Sequence, residues 1–111
     1  MNAKKKGNRG EHEFAHWLME NGIKAFRNSM SGGSVWKGDI ANGLDLTIEV
    51  KTCKKINLQE AWRQVSRDSS VAHNSPLLAI HFDNFPKKQW LCVIHSEDWL
   101  DLIKNQNVPE N

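Results

Sequence analysis

The chain has 111 residues, enough for one compact domain, and its 39% hydrophobic and 25% charged residues are typical of a globular protein. No apolar run is long enough to span a bilayer, and no apolar stretch follows the basic residues 4–6. We therefore expect no membrane insertion, no secretory signal and a cytoplasmic location. The net charge is +2, but residues 1–67 contain twelve Lys or Arg and seven Asp or Glu, whereas residues 68–111 contain three and six. This asymmetry favours an anionic partner on the first part of the chain.

Hydrophobic periodicity and turn residues predict a single α/β domain over 1–111. The predicted elements are a helix over 11–20, strands over 23–27, 36–41 and 44–52, a helix after Asn57, strands over 77–82 and 90–94, and a helix capped by Ser96. The order α-β-β-β-α-β-β-α indicates a mixed central sheet flanked by helices. We expect a flexible basic N-terminus over about 1–9 and a frayed tail over about 105–111.

Apolar residues at helical spacing predict the inward face of each helix. These residues are Phe14, Trp17 and Leu18 in the first helix, Leu58, Ala61, Trp62 and Val65 in the second, and Trp99, Leu102 and Ile103 in the third. Asn42–Gly43 is a strong signal for a two-residue hairpin turn between the second and third strands.

Two acids and a lysine lie where this hairpin brings them together. Glu49 and Lys51 share one face of the third strand, and the hairpin places Asp39 close to Glu49. Two carboxylates that converge there could bind one divalent cation, which would activate water for attack on a phosphate. A cross-strand ion pair of Lys51 with either acid is the structural alternative.

Glu11 adds a third carboxylate to the candidate set. It falls on the same helical face as Phe14 and Leu18, so it is predicted to point inward, where a carboxylate needs a partner or a metal. The alternative is an acid at a helix start that is stabilised by the helix dipole.

These motifs resemble the PD-(D/E)XK nuclease superfamily, and within it the archaeal-type Holliday junction resolvases and related phage and bacterial nucleases. The resemblance begins at Lys-Gly-Asn-Arg-Gly-Glu-His-Glu over 6–13 and continues through Gly-Asp-Ile over 38–40 and Ile-Glu-Val-Lys over 48–51. It is strong over the first half of the chain and rests on element order in the second. Gly38 stands where the superfamily motif has Pro.

The resemblance implies a restriction-endonuclease-like fold and a metal-dependent endodeoxyribonuclease. Asp39, Glu49 and the Val50 carbonyl would bind Mg²⁺ or Mn²⁺, Glu11 would complete the site, and Lys51 would be the catalytic lysine. The implied substrate is DNA with branched structure, such as a four-way junction. Paired cuts would require a homodimer, for which the last helix, Phe85 and Trp90 are candidate contact surfaces.

DNA binding needs cations that neutralise phosphates, and basic residues surround the motifs. The resemblance further places the serine loop beside the scissile phosphate and a glutamine at the side of the site. The candidate DNA-binding residues are Lys6, Arg9, Arg27, Ser31, Ser34, Lys37, Lys54, Lys55, Gln64 and Arg67. For any one of the cations, an ordinary solvated surface position is the alternative.

Two other functions remain open from the sequence. His12-Glu13-Phe14-Ala15-His16 matches the HExxH signature of zinc peptidases, in which both histidines bind zinc. The two histidines lie nearly opposite Phe14, however, and the long form of that motif is absent. The other possibility is a DNA-binding module that keeps the fold without cutting, against which the intact acids and Lys51 argue.

Overall fold

The computed structural model describes residues 3–28 and 38–106, and over these it forms three helices and five strands. The elements are α1 (Ala3–Glu20), β1 (Ala25–Arg27), β2 (Ile40–Asn42), β3 (Leu46–Cys53), α2 (Leu58–Ala72), β4 (Ser75–Phe82), β5 (Leu91–Val93) and α3 (Ser96–Gln106). Their order is the predicted one. The predicted serine loop and the start of the strand predicted at 36–41 lie outside the described residues.

The helix α1 begins at Ala3, two turns before the predicted start at residue 11. The added turns are tied to the strand β3. The Thr52 hydroxyl donates to the Lys6 carbonyl at 3.3 Å. Gly10 lies directly against the Thr52 side chain, where a Cβ atom would collide with it. Contact with β3 therefore stabilises the first turns of α1, and the local sequence does not indicate this contact.

The five strands form one sheet in the order β1-β2-β3-β4-β5. Strands β3 and β4 are parallel, with Leu46 opposite Ser75 and Cys53 opposite Phe82, and all other pairs are antiparallel. The helix α2 makes the crossover that a parallel pair requires. The predicted mixed sheet flanked by helices is confirmed.

Helices cover both faces of the sheet. The core on the α1 face consists of Phe14, Ala15, Leu18, Ala25, Ile40, Ile48, Val50 and Ala79. The core on the α2 face consists of Ala61, Val65, Leu78 and Ile80. Since β3 lies at the centre, its polar positions Thr47 and Glu49 are buried as well as its apolar ones.

The β2–β3 turn differs from the predicted two-residue turn. Asn42 still belongs to β2, and the turn comprises Gly43, Leu44 and Asp45. The Asn42 side chain accepts from the Leu44 N–H at 2.9 Å and donates to the Leu46 carbonyl at 3.1 Å. Asn42 thus stabilises the turn through its side chain while remaining in β2. The Asn–Gly dipeptide alone does not show whether Asn lies in the turn or just before it.

The helix α3 buries none of its residues, so the prediction that its apolar residues face inward is wrong. Trp99 is 54% exposed and Leu102 57% exposed, and Ile103 is half-buried. Leu58, predicted for the inward face of α2, is also exposed. Within the described ranges, no helix combines the length and the apolar character that a membrane span needs.

Candidate active site

Asp39 is held in place by the backbone around it. Gly38, at a φ of +92°, precedes it, and a Cβ atom there would come within 2.8 Å of the Ile48 carbonyl oxygen. The Asp39 N–H donates to that same oxygen at 2.7 Å. The Asp39 carbonyl accepts from the Asn28 N–H at 2.8 Å. A residue with a side chain at position 38 would be strained and would collide, so glycine is what brings Asp39 against β3.

The carboxyl groups of Asp39 and Glu49 meet at the centre of β3. Asp39 Oδ2 accepts from the Val50 N–H at 2.8 Å, which fixes the carboxyl over the strand. Glu49 lies close enough to Asp39 for each acid to affect the ionisation of the other. Glu49 is only 7% exposed. The predicted proximity of these two acids is present in the structure.

Burial is the main reason that these carboxyl groups are hard to ionise. Burial and the neighbouring Asp39 raise the pKa of Glu49 from its usual 4.5 to about 8, although Lys51 lowers it. Burial raises the pKa of Asp39 to about 6, although the hydrogen bond from Val50 lowers it. Two acids with shifted pKa values in one cleft are a feature of functional sites.

A cavity of about 510 Å³ opens over the pair. Its lining residues are Lys6, Gly7, Glu11, Asp39, Glu49, Val50, Lys51, Thr52 and Gln64. All four predicted catalytic residues are therefore in one cavity, and α2 contributes Gln64 from the side. Lys51 lies two residues after Glu49 on β3, and its positive charge favours the ionised forms of both Glu49 and Asp39.

Glu11 reaches the cavity but is bound to Arg27. Arg27 Nε donates to Glu11 Oε1 at 2.8 Å, and an Arg27 terminal nitrogen donates to Asn8 Oδ1 at 2.8 Å. Both side chains of the ion pair are largely buried. In this arrangement, no three His, Cys, Asp or Glu side chains of the described ranges are placed to hold a metal ion together. Two acids converge, and the third is held beside them by a cation.

The donor set nevertheless suits a hard divalent cation. Mg²⁺ and Mn²⁺ favour carboxylate and carbonyl oxygens, and Mg²⁺ is commonly bound by one or two protein carboxylates with water and phosphate completing its shell. The buried pair supplies two carboxylates that lack an ion-pair partner among the salt bridges of the described residues. A bound cation would favour the ionised form of both acids and so lower both pKa values.

The predicted DNA-binding residues lie in different surroundings. Arg9 and Arg67 are exposed on α1 and α2, and Lys54 and Lys55 are exposed after β3. Arg27 is engaged with Glu11, so its main contact is within the site rather than on the surface. The remaining candidates from the serine loop, Ser31, Ser34 and Lys37, lie outside the described residues.

The HExxH residues do not form a centre. His12, Glu13 and His16 are exposed on the outer side of α1. The His16 Nδ1 atom lies 3.7 Å from Glu20 Oε2, an ordinary contact between successive helical turns. The geometry gives the zinc-peptidase reading no support.

Sequence reasoning missed three residues that act on the site. Asn8 holds Arg27, Asp83 binds the Lys6 ammonium at 2.6 Å, and Asp68 raises the pKa of Glu49. The only local signal was for Asp68, which follows Gln64 by four residues and so shares its helical face. Asn8 and Asp83 act across the fold, beyond what sequence spacing shows.

A five-stranded mixed sheet, with an acid before β2 and a Glu-x-Lys on β3, defines the PD-(D/E)XK class of nucleases. The family model described as archaeal Holliday junction resolvase (Hjc) matches residues 2–105, so the chain belongs to that family. It is therefore a structure-selective endonuclease. No curated protein matches the chain.

The fold also resembles a solved structure. This is the 1.6 Å structure of Hjc, a Holliday junction resolvase from the hyperthermophilic archaeon Archaeoglobus fulgidus. The two share 22% sequence identity with a TM-score of 0.58, and the match covers 80% of this chain and 72% of that one. At this identity the likeness shows a common fold, and the assignment of residues rests on the geometry above.

Proposed function

We propose that this protein hydrolyses phosphodiester bonds of four-way DNA junctions with Mg²⁺ or Mn²⁺ held by Asp39 and Glu49. The observation that carries the proposal is that these two acids, both largely removed from solvent, line one cavity with Lys51, with Asp39 fixed over β3 by the Val50 N–H. Holding two acids together in a buried place is unfavourable unless a cation or a proton compensates. In a nuclease, a bound metal ion would offset the unfavourable energy of the two buried negative charges.

The metal-holding groups are Asp39, Glu49 and the Val50 carbonyl, with Glu11 at the edge. When bound, a divalent cation lowers the pKa of a coordinated water and neutralises charge on the phosphate. Glu11 would add a further carboxylate at the edge of this set, where Arg27 holds it. The Arg27 guanidinium, itself held by Asn8, keeps the Glu11 carboxylate beside the cavity.

Lys51 serves as the catalytic lysine. It lies on the same strand face as Glu49, two residues further on, and lines the same cavity. Its ammonium donates to the attacking water or to the phosphate oxygen that gains charge during the reaction, which lowers the barrier electrostatically. Gln64, from α2, approaches the same space and positions substrate or water by hydrogen bonding.

DNA is held by its backbone rather than by its bases. Arg9 on α1, Arg67 on α2, and Lys54 and Lys55 after β3 are exposed cations that would neutralise phosphates. The sequence contains no base-reading motif, so shape and deformability would supply the selectivity for junctions. This matches a structure-selective nuclease.

We further propose a homodimer through α3 and the edge strand β5. An eleven-residue helix is only marginally stable alone, yet α3 buries none of its residues and exposes Trp99 and Leu102. Leu91 on β5 is exposed as well. Trp90 and Phe85, the other predicted contacts, pack on rings of their own chain.

Sedimentation equilibrium tests the proposed homodimer. It should give a dimer for the wild type, and Leu102→Ser should shift the equilibrium towards monomer.

Cleavage of a panel of DNA structures tests the function. Labelled four-way junction, flap, nicked and linear duplexes are incubated with Mg²⁺, with Mn²⁺ or with EDTA. We expect metal-dependent cuts in the junction, loss of cutting in Asp39→Asn and Lys51→Ala, and full activity in Lys24→Ala, which removes an exposed lysine outside the cavity. Junction binding without cleavage under either metal would instead favour the non-cleaving module.

A further inference from the structure

The Lys6–Asp83 ion pair lies at the rim of the active-site cavity. Lys6 Nζ donates to Asp83 Oδ1 at 2.6 Å, and the two side chains are 35% and 38% exposed. The pair joins α1 to the connection between β4 and β5, and its two residues are 77 positions apart in the chain. It is accessible to solvent and to a ligand.

Both partners are anchored to neighbouring residues of β3. The Lys6 carbonyl accepts from the Thr52 hydroxyl at 3.3 Å, and the Asp83 N–H donates to the Cys53 carbonyl at 3.0 Å. Thr52 and Cys53 directly follow Lys51. The backbones of the two partners are therefore fixed independently of the ion pair, and the ion pair determines only where the Lys6 ammonium lies.

Lys6 occupies a boundary between two surfaces. It lines the cavity that contains Asp39 and Glu49, and it also lines a broad groove of about 1520 Å³ beside α1. Arg9 and Lys87 contribute further cations to that groove. A DNA strand that enters the cavity from the groove passes the Lys6 ammonium, which is the position for a phosphate contact.

In the free protein, however, Asp83 neutralises that ammonium. An exposed ion pair of this kind shifts an equilibrium by no more than about fivefold, and a phosphate offers the ammonium the same kind of charge-assisted hydrogen bond. DNA phosphate can therefore displace the carboxylate at small cost. We propose that Asp83 competes with DNA phosphate for Lys6 and so acts as a built-in brake on DNA binding at the active site; this rests on the proposed function.

The brake makes a specific prediction about charge and salt. Removal of the Asp83 charge frees Lys6, so Asp83→Asn should bind junction DNA about two- to fivefold more tightly at low salt. The salt dependence of log K should steepen by about one unit, as for one more neutralised phosphate. In a protein without the Lys6 ammonium, Asp83→Asn removes only the long-range repulsion between Asp83 and the DNA. The resulting gain in DNA affinity should therefore be smaller.

Fluorescence anisotropy with a labelled four-way junction in EDTA tests this without cleavage. The proteins are the wild type, Asp83→Asn, Lys6→Ala and the double variant, with salt varied for each. Asp45→Asn is the matched control, because it removes the same charge from an exposed residue at the opposite end of β3. Thermal unfolding of each variant verifies that it folds, and Asp83→Ser repeats the measurement with a second side chain.

A larger gain from Asp83→Asn in the presence of Lys6 than in its absence, and no comparable gain from Asp45→Asn, supports the brake. An equal gain in both backgrounds, or unchanged or weaker binding, overturns it. If the wild type binds no junction at all, the proposed function fails together with the brake. If the wild type binds and Asp83→Asn shows no gain, only the brake fails.

Discussion

Thr47 and Glu49 lie two residues apart on the same face of β3, and both are buried, at 0% and 7% exposure. Their partners differ. The Thr47 hydroxyl donates to Asn74 Oδ1 at 2.6 Å, a neutral donor and a neutral acceptor. Glu49 faces Asp39, a second acid, and the two need either a proton or a cation between them.

This difference separates a structural position from a functional one. A buried polar group with a neutral partner costs little, because its hydrogen bond to water is replaced. Two buried acids raise each other's pKa and lower stability whenever both are ionised. The hydrogen bond of Thr47 therefore stabilises the fold. The position of Glu49 beside a second acid lowers stability at high pH, and we interpret it as a functional position.

Cleavage should separate the two positions most strongly. Glu49→Gln and Asp39→Asn keep the side-chain shape but remove the metal-binding charge, so we expect junction cleavage to fall by about 10²–10⁴-fold, the range for loss of a catalytic group. Thr47→Val should retain cleavage per folded molecule. Rates are measured at saturating Mg²⁺, with circular dichroism to confirm folding. Equal losses at both positions would remove the distinction.

The pH dependence of stability is the second difference. Because the folded-state pKa values of Glu49 and Asp39 lie above their ordinary values, the folded protein keeps protons that the unfolded chain releases between about pH 4 and pH 8. Their contribution to stability is complete at low pH and is lost as the pH rises through the folded pKa values, by roughly 1.4 kcal/mol per unit of pKa difference.

Urea unfolding of the metal-free protein from about pH 5 to pH 8.5 measures this loss. Glu49→Gln should flatten the profile and be more stable than the wild type at the alkaline end. Thr47→Val should keep the wild-type slope, because it leaves both acids in place. A wild-type profile that rises over this range would contradict the raised pKa values.

Thr47→Val should be the variant that loses stability. It removes the hydroxyl that satisfies Asn74, so we expect a loss of about 1–3 kcal/mol in the free energy of unfolding. Thr47→Ser retains the hydroxyl and provides the control. Chemical unfolding at a pH near 5 isolates the effect from the titration of the acids, and an unchanged stability would show that the Thr47–Asn74 bond contributes nothing.

The smallest expected effect concerns Glu11. Arg27→Ala removes the cation that aims this carboxylate, and we expect about 10-fold weaker metal binding, the low end for groups that orient metal ligands. Arg27→Lys should restore part of it. Calorimetry with Mn²⁺ measures the affinity directly, and unchanged affinity in Arg27→Ala would make the ion pair a purely structural contact.

The sequence predicted what depends on local pattern. Alternation along β3 placed Glu49 and Lys51 on one face, and the hairpin placed Asp39 beside them, as found. Periodicity also identified three helices, although the apolar residues of α3 turned out to be exposed. An apolar stripe indicates that a helix needs a partner surface but does not say on which molecule that surface lies.

Long-range contacts account for what was missed. The start of α1 depends on Thr52 of β3, and the orientation of Glu11 depends on Arg27, sixteen residues away. The fit of Gly38 against Ile48 likewise appears only once the two strands are paired. None of these contacts has a spacing that marks it in the sequence.

The central claim is that Asp39 and Glu49 form a metal site, and Mn²⁺ calorimetry on the unliganded protein tests it most directly. At a pH near 8 we predict saturable binding by the wild type and by Thr47→Val, with proton release as the two acids ionise. Asp39→Asn and Glu49→Gln should lose this binding. Equal Mn²⁺ affinity in the wild type and in both acid variants would contradict the account.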